Sequence, residues 1–363
     1  MAEPRANPWL DALRGYVFNK PPQGDYIKLS TNENSMGCSP KVHDSLMELL
    51  GEDTRAFHRY PDGPSTLLTT ALSEHHGIDA NRLICGCGSD EILMLLAQAY
   101  ASCGDEILHQ QYGFVYYQMI ALKVGATPIA VPDKDYTADV DGFLNRVTKR
   151  TKLIYLANPN NPTGTFLPWS EVLRLHAGLP DDVILVLDDA YAEYCTDVPG
   201  YKDGIELAHH APNVVVTRTF SKIYGLASAR VGWGYGPRAI IDVLHRLRPP
   251  FNVSAFGQVA AVAALSDQEW IAKACRHNDA MKSWTVDQVE TLGYRTIPSI
   301  GNFFLMLYPN ADEASAGYRG LQDRGIAVRY MPKMGLDCAL RISIGTEPEM
   351  KRLITELQDM HHA

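Results

Sequence analysis

The 363 residues predict an α/β protein: a large domain with a mostly parallel central sheet covered by helices, followed by a smaller α+β domain. Three observations carry this expectation. The chain is longer than one hydrophobic core sustains. Short, wholly apolar runs alternate with helix-length segments, the pattern of strands buried on both faces. After Pro249-Pro250 the rhythm changes to a long Ala-rich helical stretch and widely spaced strands.

Residues 1–40 are rich in Pro, Gly and Asn without sustained periodicity, and read as an arm that contributes to the small domain and to a contact with a second subunit. The large domain is expected over 41–252. Within it, 64–76 has helical spacing, Arg82–Cys85 is a short buried strand, and Ser89–Tyr100 is an apolar helix preceded by glycines. Asp105–His109 reads as strand, Tyr112–Val124 as helix and Thr127–Val131 as strand. LIYLAN (153–158), a helix near 168–177, VILVLDD (183–189) and NVVVTRTF (213–220) continue the alternation. The small domain, 253–363, should hold a helical stretch over 254–290, strands near 302–307 and 339–344, and a last helix near 347–361. No internal repeat or low-complexity tract interrupts this order.

Composition narrows the function. Hydrophobic residues at 46% and charged residues at 21% are ordinary for a soluble enzyme. The net charge is -9 and Lys and Arg are spread evenly, which argues against nucleic acid and membrane surfaces as partners. A local Arg pocket can still take a small anion. No run approaches the roughly 18 apolar residues of a membrane span, and MAEPRANPWLDALRGY lacks the apolar core of a signal peptide. Seven scattered cysteines, with only Cys85 and Cys87 close, give no metal-ligand spacing; they read as reduced thiols of a cytoplasmic protein.

In doubly wound sheets ligands sit beyond the carboxyl ends of the strands, and the motifs with chemistry fall there. TRTFSKIYGLASAR (217–230) places Lys222 just past a strand end, among the hydroxyls of Thr217, Thr219 and Ser221, with Arg230 following. A desolvated lysine there can condense with an aldehyde, and the hydroxyls and guanidinium can hold a phosphate. An isolated Ser-Lys pair would more simply be a surface loop. The preceding strand, however, ends in Asp188-Asp189, and a lysine paired with a carboxylate beside it is the signature of pyridoxal 5'-phosphate (PLP). The carboxylate raises the pKa of the pyridine nitrogen and so makes the ring an electron acceptor. Strand alternation lets only one of Asp188 and Asp189 face the ring. Tyr191 is placed to donate to the phenolic oxygen of the cofactor; its alternative is packing under the loop.

NPNNPTG (158–164) follows another strand and presents Asn161, whose amide can reach the same oxygen. CGCGSDEIL (85–93) joins strand to helix through glycines, so the backbone N–H groups of Gly88, Ser89 and Asp90 form a phosphate nest. Position 91 is Glu, which breaks the dinucleotide pattern G-x-G-x-x-G. Tyr112, after the next strand, can stack on the pyridine ring or simply fill the core. In ALRISIG (339–345), Arg341 lies among apolar neighbours and needs an anion, either a substrate carboxylate or an internal acid.

Together these segments resemble the fold-type I PLP-dependent aminotransferases and, within them, the histidinol-phosphate aminotransferase family. The likeness runs through TNENSMGCSP (31–40), HRYPDG (58–63), GCGSDE (86–91), NPNNPTGT, DDAYAEY (188–194), TFSKIYGLASARVGW (219–233) and LRISIGT (340–346). It implies that Lys222 holds the cofactor as a Schiff base and shuttles protons, that Asp188 pairs with the pyridine nitrogen, and that Asn161 and Tyr191 hold the phenolic oxygen. Gly88, Ser89, Thr219, Ser221 and Arg230 would surround the phosphate, joined by Tyr60 from a neighbouring subunit, so a homodimer is implied. Arg341 would bind substrate carboxylate; Arg329 and Tyr16 would bind substrate phosphate, and Asn34 would border the substrate. The implied reaction is ping-pong, with glutamate leaving as 2-oxoglutarate and imidazole acetol phosphate becoming histidinol phosphate. The sequence departs from the family where it has NENSMGCSP for NENPLGPSP, HQQYGF without the usual Pro, and Gly15 where Pro is common. These departures border the substrate and bear on its identity. Alternatives are a broad aromatic aminotransferase, a threonine-phosphate decarboxylase, and a PLP-binding regulatory domain, the last lacking any basic DNA-binding segment.

Overall fold

The apolar runs become strands, and the hydroxyl-, amide- and carboxylate-bearing residues that follow them become one edge of a sheet. The structure is a computed structural model and describes residues 4–15, 22–51 and 57–362. Strand β1 (Ile27–Lys28) precedes a seven-stranded sheet made of β2 (Leu83–Gly86), β3 (Glu106–Gln110), β4 (Thr127–Val131), β5 (Thr151–Ala157), β6 (Ile184–Asp188), β7 (Val214–Thr219) and β8 (Gly232–Tyr235). Its order is β2-β8-β7-β6-β5-β3-β4. From β7 to β4 all neighbours are parallel, while β8 runs antiparallel to both β2 and β7.

Alternation along each strand feeds two apolar layers. In β6, Leu185 and Leu187 join one core cluster and Ile184 and Val186 the other; in β7, Val214 and Val216 oppose Val215 in the same way. Each such side chain, fully buried, contributes about 1.5–3 kcal/mol. Both faces are therefore closed by helices, and the strand ends are the place left for polar chemistry.

Three local differences from the sequence expectation matter. Strand β8 is Gly-Trp-Gly-Tyr, without the branched run that marks the others. A Cβ on Gly232 would collide with the backbone of Gly88 and Ser89, so glycine lets β8 pass directly beneath that loop. The helix expected from Tyr112 begins at Tyr116, because Gly113 N–H first closes a turn onto Gln110 O at 3.0 Å. The stretch 254–290 is two helices, Ala255–Leu265 and Gln268–Thr291, separated where Asp267 caps the second by accepting from Trp270 N–H at 3.3 Å.

The remaining strands are β9 (Arg295–Ile297), β10 (Phe303–Leu307), β11 (Ile326–Ala327), β12 (Arg329–Met331) and β13 (Leu336–Ser343). Four of them form an antiparallel sheet, β12-β13-β10-β9, while β1 pairs in parallel with β11. The register of β12 on β13 sets Arg329 directly opposite Arg341. Among the described residues no helix is long and apolar enough to cross a membrane. All seven cysteines are free.

Candidate active site

The carboxyl ends of β5, β6 and β7 lie side by side, and the segments after them deliver Asn161, Asp188 with Tyr191, and Thr219 with Ser221 and Lys222 to one cavity of about 200 Å³. Its wall also includes Thr31, Glu33, Ser89, Asp90, Phe114, Tyr117 and Arg230. For scale, a cavity of roughly 150 Å³ admits benzene. A second cavity, about 170 Å³, shares Thr31, Phe114, Asn161 and Lys222 with the first and adds Arg329 and Arg341. A larger cleft of about 830 Å³ lies elsewhere, lined by residues such as Arg295, Tyr308 and Arg324, and gathers none of the predicted strand-end residues.

Asp188 ends β6 and is almost wholly buried, 5% exposed. Tyr117 Oη donates to its Oδ2 at 2.6 Å, and Thr217 Oγ1, from the neighbouring strand, donates to Oδ1 at 3.0 Å. Burial pushes its carboxyl up to about 6, against the opposing pull of these two donors. Asp189 turns the other way. Its Oδ2 accepts from Gly204 N–H at 2.7 Å, and it does not line the cavity. Tyr191 receives the Asn32 amide at 3.0 Å on its hydroxyl, and burial pushes that hydroxyl up to about 12, so it stays a donor at neutral pH.

Lys222 Nζ donates to Thr31 O at 3.1 Å and stands 5.7 Å from the Tyr191 ring centroid. Arg230, in the same lining, donates through Nη1 to Ser221 Oγ at 3.1 Å and to Ala227 O at 2.9 Å. Gly88 has φ +77°, and a Cβ there would strike Arg230 Nη2, so this loop must be glycine for the guanidinium to reach across it. Ser89 opens the helix Ser89–Tyr100, whose first N–H groups are short of partners and favour an anion. Arg341 is 7% exposed; it donates to Asn161 Oδ1 and, through Nη2, to Ser30 O at 2.6 Å. Because a guanidinium only donates, this contact fixes the Asn161 oxygen toward Arg341 and leaves the amide nitrogen as its donor end.

Some predicted residues lie outside this group. Tyr112 does not line either cavity; its ring stacks on Tyr136 at 5.9 Å, and the Gly113 turn brings Phe114 to the cavity wall instead. Asn34 is spent on the loop, donating to Ile223 O at 2.7 Å and accepting from Met36 N–H at 3.0 Å. Tyr60 is 81% exposed and stacks on Phe251 at 4.6 Å, away from the cavity of its own chain. Tyr16 falls outside the described residues. Conversely, Tyr117 and Asn32 hold Asp188 and Tyr191 and were not singled out from the sequence. The aromatic run FVYY (114–117) just past a strand end was the available signal for the first.

A family model described as aminotransferase class I and II matches residues 24–357. A histidinol-phosphate aminotransferase of Sphingopyxis alaskensis is 46% identical over 97% of this chain and 96% of its own length. One of Rhodospirillum rubrum is 47% identical over 91% of this chain and 89% of its own. Among solved structures, the histidinol-phosphate aminotransferase of Sinorhizobium meliloti in complex with pyridoxal-5'-phosphate superposes with a TM-score of 0.90 at 27% identity, covering 99% of this chain and 98% of that one.

Proposed function

This chain belongs to the class I and II aminotransferase family, and we propose that it uses PLP to move an amino group between glutamate and the phosphorylated keto acceptor whose product is histidinol phosphate. The observation that carries this reading is one cavity lined by Lys222, the buried carboxylate of Asp188, Ser89 and Arg230, with Gly88 packed against the Arg230 guanidinium. That set fits the cofactor. Asp188, pushed up by burial, gains a counter-charge from a protonated pyridine nitrogen. Ser89 and Arg230, with Thr219 and Ser221, suit a phosphate, and the Lys222 amine suits an aldehyde.

When bound, PLP supplies an aldehyde that takes up amines and a ring that draws electrons from the neighbouring carbon. The protein supplies the rest. Asp188 holds the ring nitrogen protonated, and Tyr117 and Thr217 hold Asp188. The Asn161 amide and the Tyr191 hydroxyl, both lining the cavity, would hold the phenolic oxygen. Lys222, whose amine lines this cavity, would hold the cofactor and serve as the base that takes and returns the substrate proton. Arg341, lining the adjoining cavity, takes the substrate carboxylate, and Arg329 opposite it takes the phosphate. Phe114, which lines both cavities where Tyr112 does not, would be the aromatic available to the ring. Tyr60, exposed on its own chain, reaches the cofactor phosphate of a second subunit, so the working unit is a homodimer. The thiols and the charge distribution fit a cytoplasmic enzyme.

The test is a half-reaction followed by absorbance. L-histidinol phosphate, L-glutamate and L-phenylalanine are added separately to the purified yellow protein. Rapid bleaching with the first two and slow bleaching with phenylalanine is expected. Comparable rates with phenylalanine would move the enzyme to the broad aromatic class, and a colourless protein would overturn the cofactor assignment.

A further inference from the structure

We infer that Glu91 is a positioning residue that sets the phosphate-binding loop of the cofactor cavity, acting through Cys87 and Asn252; the inference rests on the assignment of that loop to the PLP phosphate. A carboxylate is an unexpected neighbour for an anion site, yet the geometry accounts for it. Glu91 sits in the first turn of the helix Ser89–Tyr100, and its Oε2 alone takes two donors, Cys87 N–H at 2.7 Å and Asn252 Nδ2 at 2.6 Å. The charge is consumed inside the loop's own framework, where the helix N-terminus also favours it.

Asn252 is itself held. Its amide also donates to Cys85 O at 3.1 Å, and its oxygen accepts from Arg248 Nη1 at 2.9 Å. Arg248 Nε donates in turn to His245 Nδ1 at 3.2 Å, and His245 Nε2 meets Leu83 O at 3.1 Å. The chain of bonds starts and ends on β2, and Glu91 is its contact with the loop. With β8 beneath the loop at Gly232 and Arg230 across Gly88, Glu91 supplies the third side of the clamp. Loss of Glu91 frees the Cys87 peptide and lets the Gly88 and Ser89 N–H groups drift from the phosphate.

Because one oxygen takes both donors, the single carbonyl oxygen of glutamine can replace it, whereas alanine cannot. The experiment titrates the full-length, cofactor-stripped protein with PLP and with unphosphorylated pyridoxal, reading tryptophan fluorescence and visible absorbance. Glu91→Ala should weaken PLP by about tenfold, the loss of the hydrogen bond that holds the Cys87 peptide, with pyridoxal unchanged and Glu91→Gln close to the parent. Asn252→Ala should repeat the pattern, which keeps the test available if Glu91→Ala does not fold. Unchanged PLP affinity in both alanine variants, or equal losses for PLP and pyridoxal, overturns the inference. A parent protein that binds pyridoxal as tightly as PLP overturns the phosphate assignment itself.

Discussion

Replacing Tyr117 by phenylalanine removes one hydroxyl and one contact, the 2.6 Å bond to Asp188 Oδ2. Without cofactor, Asp188 lies at about 6 against an ordinary 3.8, chiefly through burial. A carboxyl raised by folding favours the folded state most at acid pH, and that advantage is lost as pH rises from about 4 to about 6. The rise from 3.8 to about 6 corresponds to about 3 kcal/mol. Hydrogen bonds to a charged group are worth about 1.5–3 kcal/mol and neutral ones about 0.5–1.5, so losing the Tyr117 donor penalises the carboxylate by about 1–1.5 kcal/mol more than the acid. That difference is about one pKa unit, which raises the Asp188 carboxyl further still. Urea unfolding of the cofactor-free parent and Tyr117→Phe should therefore show a stability gap that widens by about 1–1.5 kcal/mol between pH 5 and pH 8. In an Asp188→Asn background the widening should vanish. A gap that stays flat with pH in the parent background would show that Tyr117 does not act on a titrating Asp188.

The other predictions test separate parts of the site. Lys222→Ala should abolish transamination and the visible absorbance of bound cofactor while leaving the far-UV circular dichroism unchanged; full turnover would remove Lys222 from its role. Arg329→Ala should raise the KM for histidinol phosphate about tenfold or more relative to that for glutamate, and equal losses would make Arg329 structural. Arg218 is 3% exposed between Glu193 at 3.0 Å and Asp203 at 2.8 Å, so Arg218→Met should destabilise the fold by about 3–5 kcal/mol by stranding Glu193. An unaltered melting temperature would refute it.

Much of the fold was legible because the interior strands of the large sheet are buried on both faces and so spell continuous apolar runs. LIYL and VILVL need no partner to be recognised. The helix Ser89–Tyr100 announced itself by apolar spacing behind two glycines. Strand β8 did not, because its constraint is the backbone of Gly88 passing over Gly232, and close approach selects glycine where β-propensity would select a branched residue. The break at Ser266-Asp267 was a capping signal set in an otherwise unbroken helical pattern, and the pattern masked it.

The site divides along the same physical line. Lysine, arginine and aspartate at strand ends are conspicuous in sequence because they are costly where apolar strands converge. Residues that merely hold them are less so: Asn32 sits in a segment where asparagine is unremarkable, and Tyr117 is marked only by the aromatic run FVYY. Tyr112 shows how a local turn decides between neighbours. Both Tyr112 and Phe114 follow β3, but the Gly113 turn onto Gln110 reorients the backbone between them and delivers the second ring to the cavity. Tyr112 is left against Tyr136, where its backbone N–H is held by Asp133 Oδ2 at 3.1 Å. Which of two aromatic rings faces the cavity is thus set by one hydrogen bond of a glycine turn, a feature whose sequence signal is a single Gly. The carboxylate that faces the same cavity is set by the period-2 alternation of a whole strand, which two adjacent aspartates display but leave open until the cavity's side of the sheet is known.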